Sequence, residues 1–301
     1  YKQILILKLS MEFRLLYNKH YKKLFAIPLL IVLVSLAILY ANYAETGDII
    51  KKDVTLKGGL IVTVYTDASL EIVESAIKEA YPDADISARR LIEFGTEKQI
   101  GLIIEASDIT EEELKPVLEK ALGVELTRDN YSVEEAKSTL GEAFYKQMLI
   151  AILLALLFMA VVVFITFRTF IPSLAVVFAA FADMTVTLAV LNLLDIKLST
   201  AGIAAILLLL GYSIDTDILM TTRVLKRREG TIYERIKSSV KTGLTMTSTT
   251  LVALIAGYIV SQSIVIKQMF TIIIIGLIVD VIMTYLMNAG LLVWYAKKKN
   301  V

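Results

Sequence analysis

Long apolar runs alternate with polar segments along the chain, and the length of the runs indicates the class of protein. A helix needs about 20 mainly apolar residues to cross the hydrocarbon core of a bilayer. Runs of roughly this length predict a polytopic α-helical membrane protein with six transmembrane helices. We predict these helices at residues 24–41, 147–167, 172–193, 199–222, 242–260 and 269–295.

The polar segment 42–146, between the first two predicted spans, has a different pattern. β-Branched residues next to glycines are typical of a strand, whereas apolar residues at helical spacing favour a helix. Thr110 and Glu113 match a capping box, which marks a helix start. The predicted order of elements is that of a ferredoxin-like α+β domain. We predict strands at 58–66, 84–95, 98–107 and 123–130, and helices at 70–80 and 110–122.

The short loops between spans carry unequal numbers of Lys and Arg, which predicts the orientation of the chain. The predicted loops on one side are rich in basic residues, whereas those on the other hold only Lys197 and Lys267. We therefore expect a multi-pass protein of the plasma membrane with both termini in the cytoplasm and segment 42–146 outside. The predicted cytoplasmic parts are the N-terminal segment 1–23, the basic loop 223–241 and the tail 296–301.

Composition supports the membrane class and narrows the chemistry. The 301 residues are 56% hydrophobic, and the mean hydropathy is +0.69. A formal net charge of +1 gives no reason to expect a nucleic-acid partner. With no cysteine and only His20, we expect no metal site, no catalytic site and no cofactor. The sequence begins with Tyr1, and Met11 could be the native start, in which case residues 1–10 would not belong to the native chain.

Four aspartates and an arginine lie in or beside the predicted spans. A charged side chain in hydrocarbon costs several kcal/mol unless it is compensated, so such residues are functional candidates. Asp183 and Asp215 fall at similar depths on neighbouring antiparallel helices, where they could face one another or share a cavity. Asp217 lies about 200° from Asp215 around its helix, which points it to a partner or the interface. Asp280 is a third mid-membrane carboxylate, and Arg223 follows the fourth span.

Each of these residues also has a structural interpretation. The aspartates could form hydrogen bonds that hold helices together, and Arg223 could be a snorkelling charge that fixes topology. The fifth span carries a cluster of hydroxyl residues that includes Thr247 and Thr250. Small hydroxyl residues let helices pack closely, so the cluster is either a packing face or a polar lining beside the aspartates.

A stretch of the fourth span resembles a family signature. The stretch is GYSID, which contains Gly211, Tyr212, Ser213 and Asp215 and is followed by Arg223. With the order of one span, an external domain and five further spans, it is similar to the SecF family of protein-export membrane proteins. SecF is half of the SecD–SecF complex, within the RND (resistance-nodulation-division) superfamily of proton-driven transporters.

Other residues carry the same resemblance. Asp183 matches the third-span aspartate of the family, and TSTT at 247–250 matches its fifth-span signature. Gly58 and Gly59 resemble the glycine pair that opens the external domain. The chain departs from the usual signature at Asp215, which stands at an Asn position, and at Thr216, which stands at an Asp position. The pattern resembles the archaeal branch of the family.

The resemblance implies a function in protein export. It implies partnership with SecD, a SecYE-type channel, the translocating preprotein and membrane lipid, with export driven by the proton motive force. On this view Asp183 is the main proton site, Arg223 its electrostatic counterpart and Asp215 a coupled group. The secondary polar candidates are Asp217, Asp280, Thr247 and Thr250.

Two alternatives remain open from the sequence, and a third is disfavoured by it. The chain could be a scaffold subunit of the Sec translocon that transduces no energy, or half of an RND-type transporter. Paired aspartates on neighbouring spans are also a feature of intramembrane aspartyl proteases. Those enzymes carry Gly-x-Gly-Asp and Pro-Ala-Leu motifs, which this sequence lacks, so we do not expect an enzyme.

Overall fold

A computed structural model describes residues 21–299 with the exception of 83, 94, 95, 97, 108, 137, 228 and 262. Most of the predicted N-terminal segment, including Met11 and His20, lies outside the described residues, as do Arg228 and the end of the tail. Contacts divide the chain into two units. Of the described residues, the helical unit comprises 21–51, 150–196 and 201–299, and the α+β unit comprises 52–149 and 197–200.

The α+β unit is built on a four-stranded antiparallel sheet with the order β2-β3-β1-β4. Along the chain its elements alternate as strand, helix, strand, strand, helix, strand, after the short helix α2. The elements are α2 Val54–Lys57, β1 Gly59–Val64, α3 Leu70–Ala80, β2 Ile86–Ile92, β3 Gln99–Ala106, α4 Glu111–Leu122 and β4 Tyr131–Ala136.

Alternation along the strands explains how this unit buries its core. In β1 the buried and partly buried positions alternate, which places Leu60, Val62 and Val64 on one face. Helices α3 and α4 contribute buried apolar residues such as Ile77 and Leu118 to the same cluster. The predicted capping box of Thr110 is confirmed at the start of α4.

The last strand lies later than the sequence pattern predicted. The segment 123–130 holds no strand, and β4 begins at Tyr131. The Asn130 side chain explains the shift, because it accepts from the Thr127 amide at 2.8 Å and donates to the Glu125 carbonyl at 3.0 Å. These bonds stabilise a turn that competes with strand formation.

Six helices within the described residues are long and apolar enough to cross a membrane, judged by length and composition. Their elements are α1 Tyr21–Thr46, α5 Ser138–Phe167, α6 Phe170–Leu193, α7 Thr200–Leu225, α8 Ile232–Val260, and a last continuous helix. This last helix consists of α9 Ile264–Ile282, a π-helical segment Met283–Asn288 and α10 Ala289–Lys299.

Helices α7 and α8 both extend into the basic segment 223–241, which was predicted to be a loop. Helix α7 continues to Leu225, and α8 begins at Ile232, so most of this predicted loop is helical. The start of α8 is set by a capping box in which Thr231 accepts from the Glu234 amide and Glu234 accepts from the Thr231 amide. The predicted turn at Arg168 adopts left-handed backbone with φ 51°.

Small residues let the helices of the helical unit approach closely. A Cβ built on Gly276 of α9 would lie 2.1 Å from Leu209 Cδ2 of α7, and one on Gly243 of α8 would lie 2.0 Å from Tyr285 Oη. Ala179 and Ala182 of α6 are likewise fully buried. Such contacts bring α6, α7 and α9 near enough for short polar side chains to meet.

Candidate functional site

Three carboxylates converge inside the helical unit. Asp183 comes from α6, Asp217 from α7 and Asp280 from α9, and their exposed fractions are 1%, 0% and 1%. They are linked by hydroxyl and amide side chains from α7 and the π-helical segment. We call the group of Asp183, Asp217, Asp280 and the side chains bonded to them the carboxylate cluster.

Asp183 and Asp280 form one end of the carboxylate cluster. The Ser213 hydroxyl donates to Oδ2 of Asp183 across the α6–α7 contact. Asp280 of α9 meets the same face of α7 three residues further along, at Thr216. Buried carboxyl groups held only by neutral donors are costly to ionise together, so this end of the cluster favours a retained proton.

Asp280 is also bonded to α7 and to its own helix. The Thr216 Oγ1 lies 3.1 Å from Oδ2 and 3.3 Å from Oδ1 of Asp280, and 2.8 Å from the Ser213 carbonyl. Thr284 Oγ1 lies 3.1 Å from Asp280 Oδ1. Each hydroxyl has one proton to donate, so these donors cannot satisfy all the neighbouring oxygens at once.

Asp217 forms the other end of the carboxylate cluster. Its Oδ1 accepts from Asn288 Nδ2 at 2.7 Å and from Thr284 Oγ1 at 3.0 Å. Thr284 therefore stands between two carboxylates, and its single proton is available to Asp217 or to Asp280, but not to both. The Thr284 hydroxyl links the protonation of one aspartate to the hydrogen bonding of the other.

The π-helical segment Met283–Asn288 supplies part of this geometry. Asp280, Thr284 and Asn288 recur every four residues, a spacing that drifts around a regular α-helix. A π turn is wider, with i to i+5 hydrogen bonds, and such turns are frequent at functional sites. Here the wider turn keeps Thr284 and Asn288 both directed at Asp217.

Some oxygen atoms of the carboxylate cluster accept no hydrogen bond, and among the described residues the cluster has no basic partner. Asp183 Oδ1, Asp217 Oδ2 and Asn288 Oδ1 are buried without a hydrogen bond. No described salt bridge involves the three aspartates. Burying several uncompensated charges costs several kcal/mol each, so the geometry favours retained protons. Within the same residues, no group of three acidic, His or Cys side chains is arranged to hold a metal ion.

Two residues of the predicted relay lie away from the carboxylate cluster. Asp215 is on an exposed face of α7, and no hydrogen bond or salt bridge to it is described. Arg223 donates from Nη1 to the Ser238 carbonyl at 2.6 Å and to Thr242 Oγ1 at 2.9 Å, both on α8. The structure brings Asp217, rather than Asp215, beside Asp280. The roles of Asp215 and Arg223 in proton transfer stay predictions.

The hydroxyl residues of α8 have separate environments. Thr247 is buried with an unpaired hydroxyl, whereas Thr250 is hydrogen-bonded to Tyr212 of α7. Several of the others bond to carbonyls of their own helix, as Thr245 does to Lys241 at 2.8 Å. The contacts of Thr250 fit helix packing, whereas Thr247 is a polar group without a described partner. Gly211, next to Tyr212 on α7, has open space where a Cβ would lie.

The glycine pair of the α+β unit has a backbone explanation. Gly58 follows α2 with φ 91°, and Gly59 opens β1 with φ 142°. A Cβ on Gly59 would lie 2.3 Å from the Ala106 carbonyl oxygen of the neighbouring strand β3. Positive φ and this close approach require glycine at the start of the sheet.

The sequence interpretation missed Thr284 and Asn288, and it gave Ser213 and Thr216 no role at the carboxylates. A signal was present, because polar residues follow Asp280 at steps of four in an apolar span. On α7, Thr216 and Asp217 lie three and four residues after Ser213, so both are on the same helix face as Ser213.

Together the fold and the carboxylate cluster define a polytopic membrane protein with a protonatable interior. The sequence profile described as "Protein export membrane protein SecD/SecF, C-terminal" matches residues 118–298. Protein-export membrane protein SecF of Pyrococcus furiosus is 35% identical over 290 residues, covering 96% of each chain. That of Methanolacinia petrolearia is 34% identical over 284 residues, covering 92% of this chain and 94% of the relative.

Solved structures agree at the level of fold. The crystal structure of SecDF, a translocon-associated membrane protein from Thermus thermophilus, matches with a TM-score of 0.69 at 18% identity. The match covers 92% of this chain and 38% of that one. SecDF in a super-membrane-facing form matches with a TM-score of 0.63 at 19% identity. The fold is RND-like and the protein spans the membrane several times. The chain belongs to the SecF family of protein-export membrane proteins.

Proposed function

We propose that this chain is the SecF subunit of a SecD–SecF complex and assists protein translocation through a SecYE-type channel. The family membership and the names of the relatives support this role. The SecF relatives are matched over almost their whole length, whereas the SecDF chain is matched over 38% of its length. Its partners would be SecD, the channel, the translocating preprotein and membrane lipid, with no cofactor and no enzymatic reaction.

The proton motive force supplies the energy in this proposal. The supporting observation is the carboxylate cluster, in which three buried aspartates lie on three helices without a basic partner among the described residues. One charge that crosses 100 mV supplies about 2.3 kcal/mol. A proton that arrives at Asp280 makes this acceptor neutral and frees the Thr284 hydroxyl to bond Asp217. Protonation can therefore switch the Thr284 hydroxyl from a bond within its own helix to a bond with α7.

The α+β unit would be a ferredoxin-like domain outside the cytoplasm. Its sheet order and the order of its elements support this assignment, and the distribution of Lys and Arg supports the orientation. In this position the domain could contact a preprotein as it emerges from the channel. Both termini would then lie in the cytoplasm.

The exposed faces of α7 and α8 would contact SecD. Asp215 is exposed on α7, and Thr245, Ser248 and Thr249 are exposed on α8. A carboxylate on the outside of a membrane helix is costly against lipid, whereas a partner helix with a hydroxyl or basic group would compensate it. The same face explains why Asp215 has no described partner within this chain.

The test is export of a preprotein into vesicles that contain the channel, SecD and this chain, with and without a proton gradient. Asp280→Asn and Asp217→Asn should remove the increment in export that depends on the gradient. Asp215→Asn, on the same helix as Asp217 but outside the cluster, should keep the increment in complexes that retain SecD. Loss of the increment in Asp215→Asn while SecD stays bound would instead support the relay predicted from the sequence.

The alternatives give different results in the same assay. A scaffold subunit would lose assembly with SecD when it is impaired, and its export would not respond to the gradient. A half-transporter would move a small solute without a preprotein. Wild-type export that is insensitive to the gradient would refute the energy-coupling part of the proposal.

A further inference from the structure

The segment between α6 and α7 belongs structurally to the α+β unit. Lys197–Thr200 is grouped with that unit by its contacts. The chain enters this segment from α6, which carries Asp183, and leaves it into α7, which carries Asp217. A short piece of the α+β unit therefore joins two helices of the carboxylate cluster through the covalent chain.

Backbone bonds hold the segment in the α+β unit. The Asp53 amide donates to the Leu198 carbonyl at 3.0 Å, and Lys52 and Leu198 form a parallel β-bridge. The Thr200 amide donates to Thr55 Oγ1 at 3.1 Å. Leu198 is fully buried. The segment is thus an extended piece bonded to the start of the unit.

A side-chain bond at Thr55 adds to this attachment. Thr55 Oγ1 donates to Asp53 Oδ1 at 2.6 Å while it accepts from Thr200. Asp53 Oδ1 also accepts from the Thr55 amide at 2.9 Å and so caps α2. The first residue of α7 is therefore bonded to a capped helix of the α+β unit.

Two lysines share one carboxylate in the same unit. Lys197 pairs with Asp85 Oδ1, and Lys57 pairs with Asp85 Oδ2 at 2.9 Å. Burial raises the pKa of Asp85, but bonds and charges from Lys197 and Lys57 outweigh it and lower the pKa overall. Of the two lysines, only Lys197 lies in the segment between α6 and α7, which provides a natural control.

We propose that Lys197–Thr200 is the connector through which the carboxylate cluster moves the α+β unit, with Lys197 and Thr55 as positioning residues. The connector stays attached to the unit, so a shift of α6 against α7 displaces or strains it. This inference rests on the proposed function, since it names the structural route by which protonation would act on the external domain.

The first test breaks the attachment without touching the carboxylate cluster. We compare Lys197→Met combined with Thr55→Val against Lys57→Met, which breaks the other arm of the Asp85 bridge. The vesicles are those of the export assay, and proton uptake is followed in parallel. The connector variant should lose most of the gradient-dependent increment in export while proton uptake and SecD binding persist. Lys57→Met should keep export, and Lys197→Arg should retain it by keeping the ion pair.

A second test needs no export. Amide hydrogen exchange is measured in the full chain in lipid nanodiscs, for the wild type and for Asp280→Asn. Asp280→Asn should change the exchange of residues 52–57 and 197–200, and the connector variant should abolish that response. A purely structural role of Lys197 would not make the exchange of this segment depend on a residue of the cluster.

The outcomes separate the connector from the proposed function. If the connector variant exports with an undiminished gradient response while Asp280→Asn does not, the connector is refuted and the proposed function stands. If wild-type export ignores the gradient, the proposed function fails. In that case, hydrogen exchange still tests the link between the carboxylate cluster and the connector. If the exchange of residues 52–57 and 197–200 does not respond to Asp280→Asn, the connector is refuted as well.

Discussion

The Thr284 hydroxyl offers a direct test of the carboxylate cluster, because one proton serves two carboxylates. Thr284→Val keeps the β-branched shape and removes the donor. The hydroxyl lies 3.0 Å from Asp217 Oδ1 and 3.1 Å from Asp280 Oδ1, and all three residues are buried. We expect the variant to lower the free energy of unfolding and to decouple the two aspartates.

The magnitude follows from the number of bonds that one proton can make. Only one of the two bonds exists at a time, so one bond is lost. A bond to a neutral acceptor contributes about 0.5–1.5 kcal/mol and a bond to a charged one about 1.5–3 kcal/mol. Because the cluster favours partial protonation, we expect a loss of about 1–3 kcal/mol for Thr284→Val.

Thr271→Val is the matched control on the same helix. Among the residues that the structure describes, the Thr271 hydroxyl donates to the Lys267 carbonyl of its own helix, at 2.9 Å. Its loss should cost under about 1 kcal/mol, because that carbonyl is also within reach of the helix backbone. Denaturant unfolding of the purified chains in one detergent, followed by circular dichroism, gives both values. Equal losses for the two variants would refute the shared-proton interpretation of Thr284.

Three further predictions concern packing, pH and the partner surface. Gly276→Ala would place a Cβ 2.1 Å from Leu209 Cδ2 and should cost about 1–3 kcal/mol by overpacking, measured by unfolding in detergent. Burial raises the pKa of Asp53 from 3.8 to about 6. Since the folded state then binds more protons than the unfolded state between these values, the stability of the α+β unit should fall by about 1–3 kcal/mol as pH rises from about 4 to about 6. The chain has no cysteine, so Asp215→Cys gives a unique thiol that a membrane-permeant maleimide should label in the chain alone and label more slowly when SecD is bound.

Each of the three has its own control. Gly211→Ala meets open space and should be neutral or stabilising, so an equal loss at both glycines would argue against the close contact with Leu209. Asp53→Asn should flatten the pH dependence, and an unchanged slope would assign it to other groups. Labelling of Asp215→Cys that is equally fast with and without SecD would argue against the partner surface.

Sequence patterns predict the helices better than they predict which helix faces are buried. The apolar runs place six long helices, and element order with a capping box predicts most of the α+β unit. The 200° separation of Asp215 and Asp217 follows from helix geometry. That geometry alone cannot say which of the two faces inward, because the rotation of α7 is set by contacts such as Leu209 with Gly276.

Other features depend on tertiary structure in the same way. Arg223 was expected to pair with Asp183, yet its donors reach Ser238 and Thr242. Helix α8 starts earlier than the apolar run because Thr231 caps it, which brings those acceptors within reach. The π-helical segment has no simple sequence signature and arises where packing favours a wider turn.

Infrared spectroscopy can show whether the carboxylate cluster retains protons at neutral pH. The carbonyl stretch of a protonated carboxyl group is separate from the bands of a carboxylate, and it can be recorded on the full chain in lipid. We predict such a band at pH 7 that weakens as pH is raised. It should diminish in Asp183→Asn, Asp217→Asn or Asp280→Asn and persist in Asp215→Asn. Absence of the band at pH 7 would mean that the three aspartates are ionised, and its loss only in Asp215→Asn would place the proton at Asp215 instead of in the cluster.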